Sequence, residues 1–81
     1  MIKLKLKEAT QTYVIYLYFP DGKDKCGEIR MNIGDEEAIV LTRVDLGNEI
    51  TSGRYAFSAA KAVKERVEKR NYPVEFTHAW Y

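Results

Sequence analysis

The strongest structural signal in this sequence is an unbroken apolar and aromatic run over residues 13–19, YVIYLYF. Its length and its aromatic and β-branched residues are typical of a β-strand that is covered on both faces. The turn residues Pro20, Asp21 and Gly22 follow, and a second run, from Glu28 to Ile33, alternates polar and apolar residues. The pattern therefore predicts a β-hairpin whose first strand needs a cover on each face.

The parity of the residue numbers assigns the two faces of this first strand. Directly opposed residues of an antiparallel pair share a face, so Ile15 is expected opposite an apolar, odd-numbered residue such as Ile29. A two-residue turn would place Ile15 opposite Glu28, so we expect an odd-length loop or a bulge between Pro20 and Gly27. On this assignment, the face that needs a second cover or a partner carries Val14, Tyr16 and Tyr18.

Two further strands are predicted on either side of the hairpin. Ile2, Leu4 and Leu6 alternate with lysines, which indicates a half-buried strand of the kind that suits a sheet edge. Another strand is expected over Ala38–Leu46. Because both of its faces are apolar at the start, we expect it to be central in the sheet or to contain a bulge near Thr42.

A helix and a last strand complete the predicted elements. Thr51 or Ser52 can cap the first turn of the helix, and Asn71 with Pro73 can end it. Small apolar residues at helical spacing would let this helix approach a sheet closely; they are Ala56, Ala59, Ala60, Val63 and Val67. The last strand is expected from Val74 to about Trp80.

The predicted order is β-β-β-β-α-β within one α+β domain that spans residues 1–81. This order implies an antiparallel sheet of about five strands with one helix packed across one face. We expect the helix to cover only one side of the sheet. The aromatic first strand of the hairpin would then be left with a second side that something else must cover.

Composition limits the classes of function. The chain has 81 residues and one cysteine, which excludes an internal disulfide, and it has neither an apolar leader nor the ~20 apolar residues of a membrane span. These features predict a cytoplasmic location and no membrane partner. The formal net charge of +1 divides into +2 over residues 1–20, −4 over residues 21–49 and +3 over residues 50–81. This balance lacks the strong positive excess of a dedicated nucleic-acid binder.

Catalytic and metal-binding chemistry finds no support in the residue pattern. A thiol nucleophile needs a base, and the only histidine, His78, is distant in sequence from Cys26. We interpret Cys26 as a strand-end residue and His78 as a partly buried sheet residue. The carboxylates at Asp35-Glu36-Glu37 lack the number and spacing of calcium ligands, and zinc needs clusters of cysteine and histidine. The sequence therefore predicts no catalytic residue, no metal site and no cofactor.

A candidate interaction surface is predicted on the open sheet face and at the end of the last strand. Aromatic rings interleaved with basic side chains can stack on nucleic-acid bases, or they can cover an identical sheet in a dimer. Alternatively, long side chains can simply cover the rings of their own chain. The terminal aromatic residues can pack into the sheet or anchor a second chain. The residues of this predicted surface are Lys3, Lys5, Lys7, Val14, Tyr16, Tyr18, Arg30, Trp80 and Tyr81.

Two functions from different classes follow from this surface. The first is a non-enzymatic interaction or structural module that self-associates as a homodimer, through the aromatic sheet face or through an edge strand. The second is a nucleic-acid-binding domain that uses the aromatic and basic side chains of the open face. We prefer the first because the chain carries more aromatic surface than one helix can cover. A small enzyme is the weakest alternative.

Overall fold

The computed structural model describes residues 1–21, 24–34 and 37–79. Within these ranges the elements are β1 (Ile2–Ala9), β2 (Tyr13–Pro20), β3 (Gly27–Asn32), β4 (Ala38–Thr42), α1 (Glu49–Glu68) and β5 (Glu75–His78). The strands form one sheet in the order β4-β3-β2-β1-β5, and each neighbouring pair is antiparallel. Helix α1 packs on one face of this sheet. The predicted α+β class and element order are confirmed.

The two faces of β2 are reversed relative to the sequence-based assignment. Val14, Tyr16 and Tyr18 are fully buried in the core beneath α1 and do not face outward. Tyr16 lies opposite Ile29, and Ile15 lies opposite the polar Arg30. The expected pairing of odd-numbered residues is wrong because eight residues, 19–26, separate the opposed pair Tyr18 and Gly27. An even-length connection makes opposed residues differ in parity.

Two tyrosines occupy this core because both hydroxyl groups find backbone partners. The hydroxyl of Tyr16 donates to the carbonyl oxygen of Pro73 at 2.7 Å, and its ring meets Phe76 edge-on with centroids 5.4 Å apart. The hydroxyl of Tyr18 accepts from the amide nitrogen of Val44 at 3.1 Å. Buried tyrosine is tolerated when its polar end is satisfied in this way. Burial raises the pKa of Tyr18, and it raises the pKa of Tyr16 to about 12.

Helix α1 begins three to four residues earlier than the sequence pattern indicates. Asn48 is its cap, and its side chain accepts from the amide nitrogens of Ile50 and Thr51 at 2.9 and 3.2 Å. Ser52, which was expected to serve as a cap, is buried, and its hydroxyl instead accepts from the amide of Leu46 at 2.9 Å. The predicted stripe is confirmed as the packing face: Ala56, Ala59, Val63 and Val67 are buried, and Ala60 is half-buried.

The edges of the sheet differ from those expected. β1 is an inner strand, because β5 pairs along it from Ile2 to Lys5, so its lysines do not mark an edge. β4 is an edge strand and ends at Thr42, well short of the expected Leu46, because the chain turns there toward the start of α1. The expected bulge is present, since the register shifts between Glu28 and Ile29, opposite Thr42 and Val40.

Substitution of Gly27 tests how closely β2, β3 and β4 approach one another. A Cβ at Gly27 would lie 2.2 Å from the Tyr18 ring and 2.5 Å from the Thr42 carbonyl oxygen, and neither can move freely. We expect Gly27→Ala to lower the free energy of unfolding by about 1–3 kcal/mol, measured by urea titration. Gly53→Ala is the matched control. Its nearest neighbour is the Arg43 side chain at 3.8 Å, so the better helix former should stabilise the protein by about 0.5–1 kcal/mol. Equal effects of the two substitutions would contradict this packing.

The buried Tyr16 hydroxyl predicts a specific loss of stability in alkali. Its pKa is about 12 in the folded chain, above the ordinary value of 10.0, so between these pH values the unfolded chain loses this proton and the folded chain keeps it. The contribution of the protonated Tyr16 hydroxyl to the free energy of unfolding is therefore complete below pH 10, and it declines as the pH rises toward 12. Urea titrations from pH 8 to 12 should show a shallower decline for Tyr16→Phe than for the parent protein. Parallel declines would show that Tyr16 does not titrate abnormally.

Candidate interaction surface

The basic residues expected on the open face are there, but other side chains share that face with them. Opposite α1, β2 presents a half-buried row of Tyr13, Ile15, Leu17 and Phe19. Lys3 and Lys5 of β1 lie opposite Phe19 and Leu17, and Arg30 of β3 lies opposite Ile15. The aromatic rings of this face therefore come from Tyr13 and Phe19. Tyr16 and Tyr18, which were expected here with Val14, cannot be reached by a ligand because they are buried.

The cations of the open face are already engaged within the chain. The Lys5 ammonium lies 5.5 Å from the centre of the Phe19 ring, and the Arg30 guanidinium lies 4.1 Å from that of Tyr13. The Lys3 ammonium is 2.8 Å from a carboxylate oxygen of Glu75, and this contact lowers the pKa of Glu75. These contacts match the alternative in which long side chains cover the rings of their own chain.

One ion pair also spans β2 from side to side. The Lys7 ammonium lies 2.9 Å from a carboxylate oxygen of Glu28. Lys7 belongs to β1 and Glu28 to β3, the two strands that flank β2, so the pair crosses above the β2 side chains. Lys7 can reach this far because the register shifts between Leu6 and Glu8, so that Lys7 has no direct partner on β2. At the end of the β2 row, the Tyr13 hydroxyl donates to a carboxylate oxygen of Glu8, and this hydrogen bond raises the pKa of Tyr13.

The edge strand β4 is the most exposed apolar segment of the sheet. The exposed fractions of Ile39, Val40 and Leu41 are 40%, 40% and 49%, and Ala38–Thr42 contains no charged residue. Asn32 donates to the carbonyl of Glu37 at 3.3 Å, so by alternation the main-chain groups of Ala38 and Val40 face the outer edge. An uncharged, apolar outer strand with free main-chain groups is the usual template for pairing with another chain.

The opposite edge of the sheet is built differently. β5 has four residues, Glu75–His78, and two of them carry ionisable side chains. Glu75 is held by Lys3, and Thr77 is exposed to solvent. A short strand with charged residues is a typical means of discouraging strand addition. The two edges are therefore unequal, and β4 is the one suited to an additional strand.

A groove lies between β4 and α1, and we call it the α1–β4 groove. It has a volume of about 480 Å³. Its apolar side chains are those of Ala38, Val40, Ala56, Phe57 and Ala60, and Arg43 and Gly53 complete the lining. The alanines leave space between strand and helix. Phe57 stands over this space with an exposed fraction of 74%, although it is a large aromatic side chain. Charged residues of α1 border the groove toward the C-terminal end of the helix: Lys61, Lys64, Glu65 and Glu68.

The segment between β4 and α1 fixes the position of the groove. Val44 is buried and donates its amide to the Tyr18 hydroxyl, while Arg43 binds Glu49 in the first turn of α1. The Glu49 carboxylate raises the pKa of Arg43. These contacts hold the start of the helix close to the end of β4. As a result, α1 lies mainly over β3 and β4 rather than over β1 and β2.

The other residues singled out in the sequence do not form a site. Cys26 is a free, half-buried thiol just before β3, and His78 lies on β5. β1 and β2 separate their strands, a distance of roughly 14 Å at the usual spacing, so the structure does not bring them together. Within residues 1–21, 24–34 and 37–79, no cluster of three or more potential metal ligands occurs. Trp80 and Tyr81 lie outside the described residues.

The edge and the groove were missed from the sequence for a physical reason. The sequence shows apolar residues on both faces of Ala38–Thr42, a pattern that fits an inner strand as well as an exposed edge strand. The structure identifies an edge strand, because β4 pairs with β3 and lies at the end of the sheet. Phe57 lies outside the apolar stripe of α1 and could have been noted as an unpartnered aromatic residue. None of the described helices is long and apolar enough to cross a membrane.

A scan against protein-family models finds no match, and searches of the curated proteins and of the solved structures find none either.

Proposed function

We propose that this chain is a small, non-enzymatic interaction module that self-associates by pairing β4 with the same strand of a second copy. The observation that carries the proposal is the uncharged β4 edge, where Ile39, Val40 and Leu41 are each 40–49% exposed. Pairing would satisfy the outward main-chain groups and cover these side chains. The single cysteine, Cys26, supports a cytoplasmic location for such a module.

We centre the self-pairing on Val40, which is the middle residue of β4 and has its main-chain groups at the outer edge. An antiparallel pair about a twofold axis places Val40 beside Val40 of the partner subunit, and Ile39 beside the partner's Leu41. Both sheets would then join into one continuous antiparallel sheet, with the α1 helices on the same side. The contact is isologous, so one apolar strand serves as both halves of the interface.

The exposed apolar area sets the expected strength of this contact. Complete burial of a valine, leucine or isoleucine side chain contributes about 1.5–3 kcal/mol. Covering the exposed part of three such side chains in each copy contributes roughly half of that for each of them. Association itself costs about 4–15 kcal/mol. Strand pairing alone therefore supports a weak dimer, which dissociates at low concentration.

Substitution at the centre of β4 tests this pairing. We expect the parent protein to approach twice 9.4 kDa as its concentration rises in sedimentation equilibrium. Val40→Lys and Val40→Glu should each remain monomeric, because the twofold axis brings two like charges together. An equimolar mixture of the two variants should associate again, since unlike charges then meet. This recovery would not follow from mere loss of folding.

Thr77→Lys is the matched control, because Thr77 is an exposed residue of the other edge strand. At every concentration, Thr77→Lys should have the same average mass as the parent protein. A parent protein that stays at 9.4 kDa up to millimolar concentration would refute the proposal. An association that Thr77→Lys abolishes and Val40→Lys does not would place the contact at β5.

A further inference from the structure

We infer that a groove between α1 and the end of β5 binds a small phosphate ester that carries a flat aromatic ring, the chemistry of a nucleoside monophosphate. The inference does not depend on the proposed pairing of β4, because the described lining of this groove comes from the other side of the helix. It rests on the shape of the groove, on two cations without partners, on one buried hydroxyl group and on an exposed ring.

The α1–β5 groove has the size of a small-molecule site. Its volume is about 490 Å³, and such sites usually measure about 300–1,000 Å³. One wall is α1, and the other is formed by His78 at the end of β5 and by Ala79. Phe57, Lys61 and Glu65 also line the cavity beside Ala38, so they stand on the ridge of α1 between two grooves.

Two cations of this groove have no partner within the described part of the chain. Arg54 and Lys61 form neither an ion pair nor a contact with an aromatic ring among residues 1–21, 24–34 and 37–79. Glu65 follows Lys61 by four residues, which is the less favourable order for an ion pair on a helix. Both cations are therefore available to an anion from outside the chain, unlike Arg30 on the open sheet face.

A buried hydroxyl group lies between the two cations. Ser58 is four residues after Arg54 and three before Lys61, so the three share one face of α1. Its exposed fraction is 7%, yet its hydroxyl has no hydrogen-bond partner among the described residues. No fully buried side-chain oxygen of these residues lacks a partner, so the Ser58 hydroxyl borders open space, and Ser58 lines this groove. A phosphate oxygen there supplies the missing acceptor.

The ring of Phe57 supplies the apolar half of the site. Phe57 precedes Ser58 in the sequence, lines the same groove and has an exposed fraction of 74%. Exposed aromatic side chains are platforms on which nucleic-acid bases stack. A ligand whose phosphate lies at Ser58 can therefore place its base on Phe57.

The charges of the groove favour a ligand with a single phosphate. Its lining carries Arg54 and Lys61 against one carboxylate, that of Glu65. Because Glu65 follows Lys61 by about one helical turn, a second phosphate beyond Lys61 would meet this carboxylate. The carboxylate and the His78 ring can instead form hydrogen bonds with sugar hydroxyl or base amino groups. A polynucleotide would need a longer line of cations than this groove offers.

Titration with adenosine monophosphate, followed by NMR chemical shifts at low salt, tests the site. We expect a dissociation constant below about 1 mM, with the largest shifts at residues 54–61 and 78–79. Adenosine lacks the phosphate and inorganic phosphate lacks the ring, so each should bind at least about tenfold more weakly. No binding of adenosine monophosphate, or equally tight binding of inorganic phosphate, overturns the inference. An oligothymidylate whose affinity rises with its length would reveal a strand-binding surface and would overturn it as well.

Removal of single charges tests whether the cations act at one place. Arg54→Gln and Lys61→Gln should each raise the dissociation constant about tenfold, because each removes a charge-assisted hydrogen bond to the phosphate. Lys64→Gln is the matched control, since Lys64 lines the cavity on the β4 side of the same helix. It should bind with the affinity of the parent protein. Equal losses in all three variants would indicate diffuse attraction to a basic helix and would contradict the site.

Ser58→Ala and Phe57→Leu separate the two halves of the site. Ser58→Ala should raise the dissociation constants of adenosine monophosphate and inorganic phosphate about fivefold, without a lower urea midpoint, because its hydroxyl has no partner to lose. Phe57→Leu should weaken adenosine monophosphate about tenfold and leave inorganic phosphate unchanged. Unchanged affinities in both variants would refute the assignment. Val40→Lys should bind as the parent protein does, so failure of the strand pairing and failure of this site are distinguishable.

Discussion

The burial of Tyr16 and Tyr18 beneath α1 determines the arrangement of this molecule. Both rings lie on the same face of β2, and both hydroxyl groups form hydrogen bonds with backbone groups. The helix contributes mainly alanine and valine to this core, so the large core side chains come from the sheet and the small ones from the helix. Tyr18 also binds the segment that leads into α1, and it thereby places the helix over β3 and β4.

Two consequences of that placement shape the surface. Away from the helix, the remaining apolar residues of β2 are covered by long polar side chains from neighbouring strands, including the Lys7–Glu28 pair and Arg30 above Tyr13. Near the helix, the rim of the core stays open because alanines line it, and Phe57 extends over the opening. On the open face of the sheet, the basic side chains therefore contact groups of their own chain. At the α1–β4 groove, the apolar side chains of β4 and Phe57 are exposed.

The fold was predictable from the sequence to the level of element order and class. Alternation in Ile2–Leu6, the apolar run over residues 13–19 and the alanine stripe of α1 are local patterns, and local patterns set strands and helices directly. The orientation of β2 was not predictable, because both of its faces are apolar and only the length of the connection over residues 19–26 selects one. For this reason, the prediction that Val14, Tyr16 and Tyr18 lie on the interaction surface was wrong. The exposure of β4 depends on which strand ends the sheet, and that is a property of non-local pairing.

The inequality of the two sheet edges bears on how far an assembly of this chain can grow. Pairing of β4 with itself, as proposed, would use up the apolar edge of each copy and leave β5, with its ion-paired Glu75, at both outer margins. Such an arrangement closes at two copies. Strand addition of β4 to β5 would instead leave a free end after every step and would permit open-ended fibres, and short strands with charged residues are typical of sheet edges that discourage such addition.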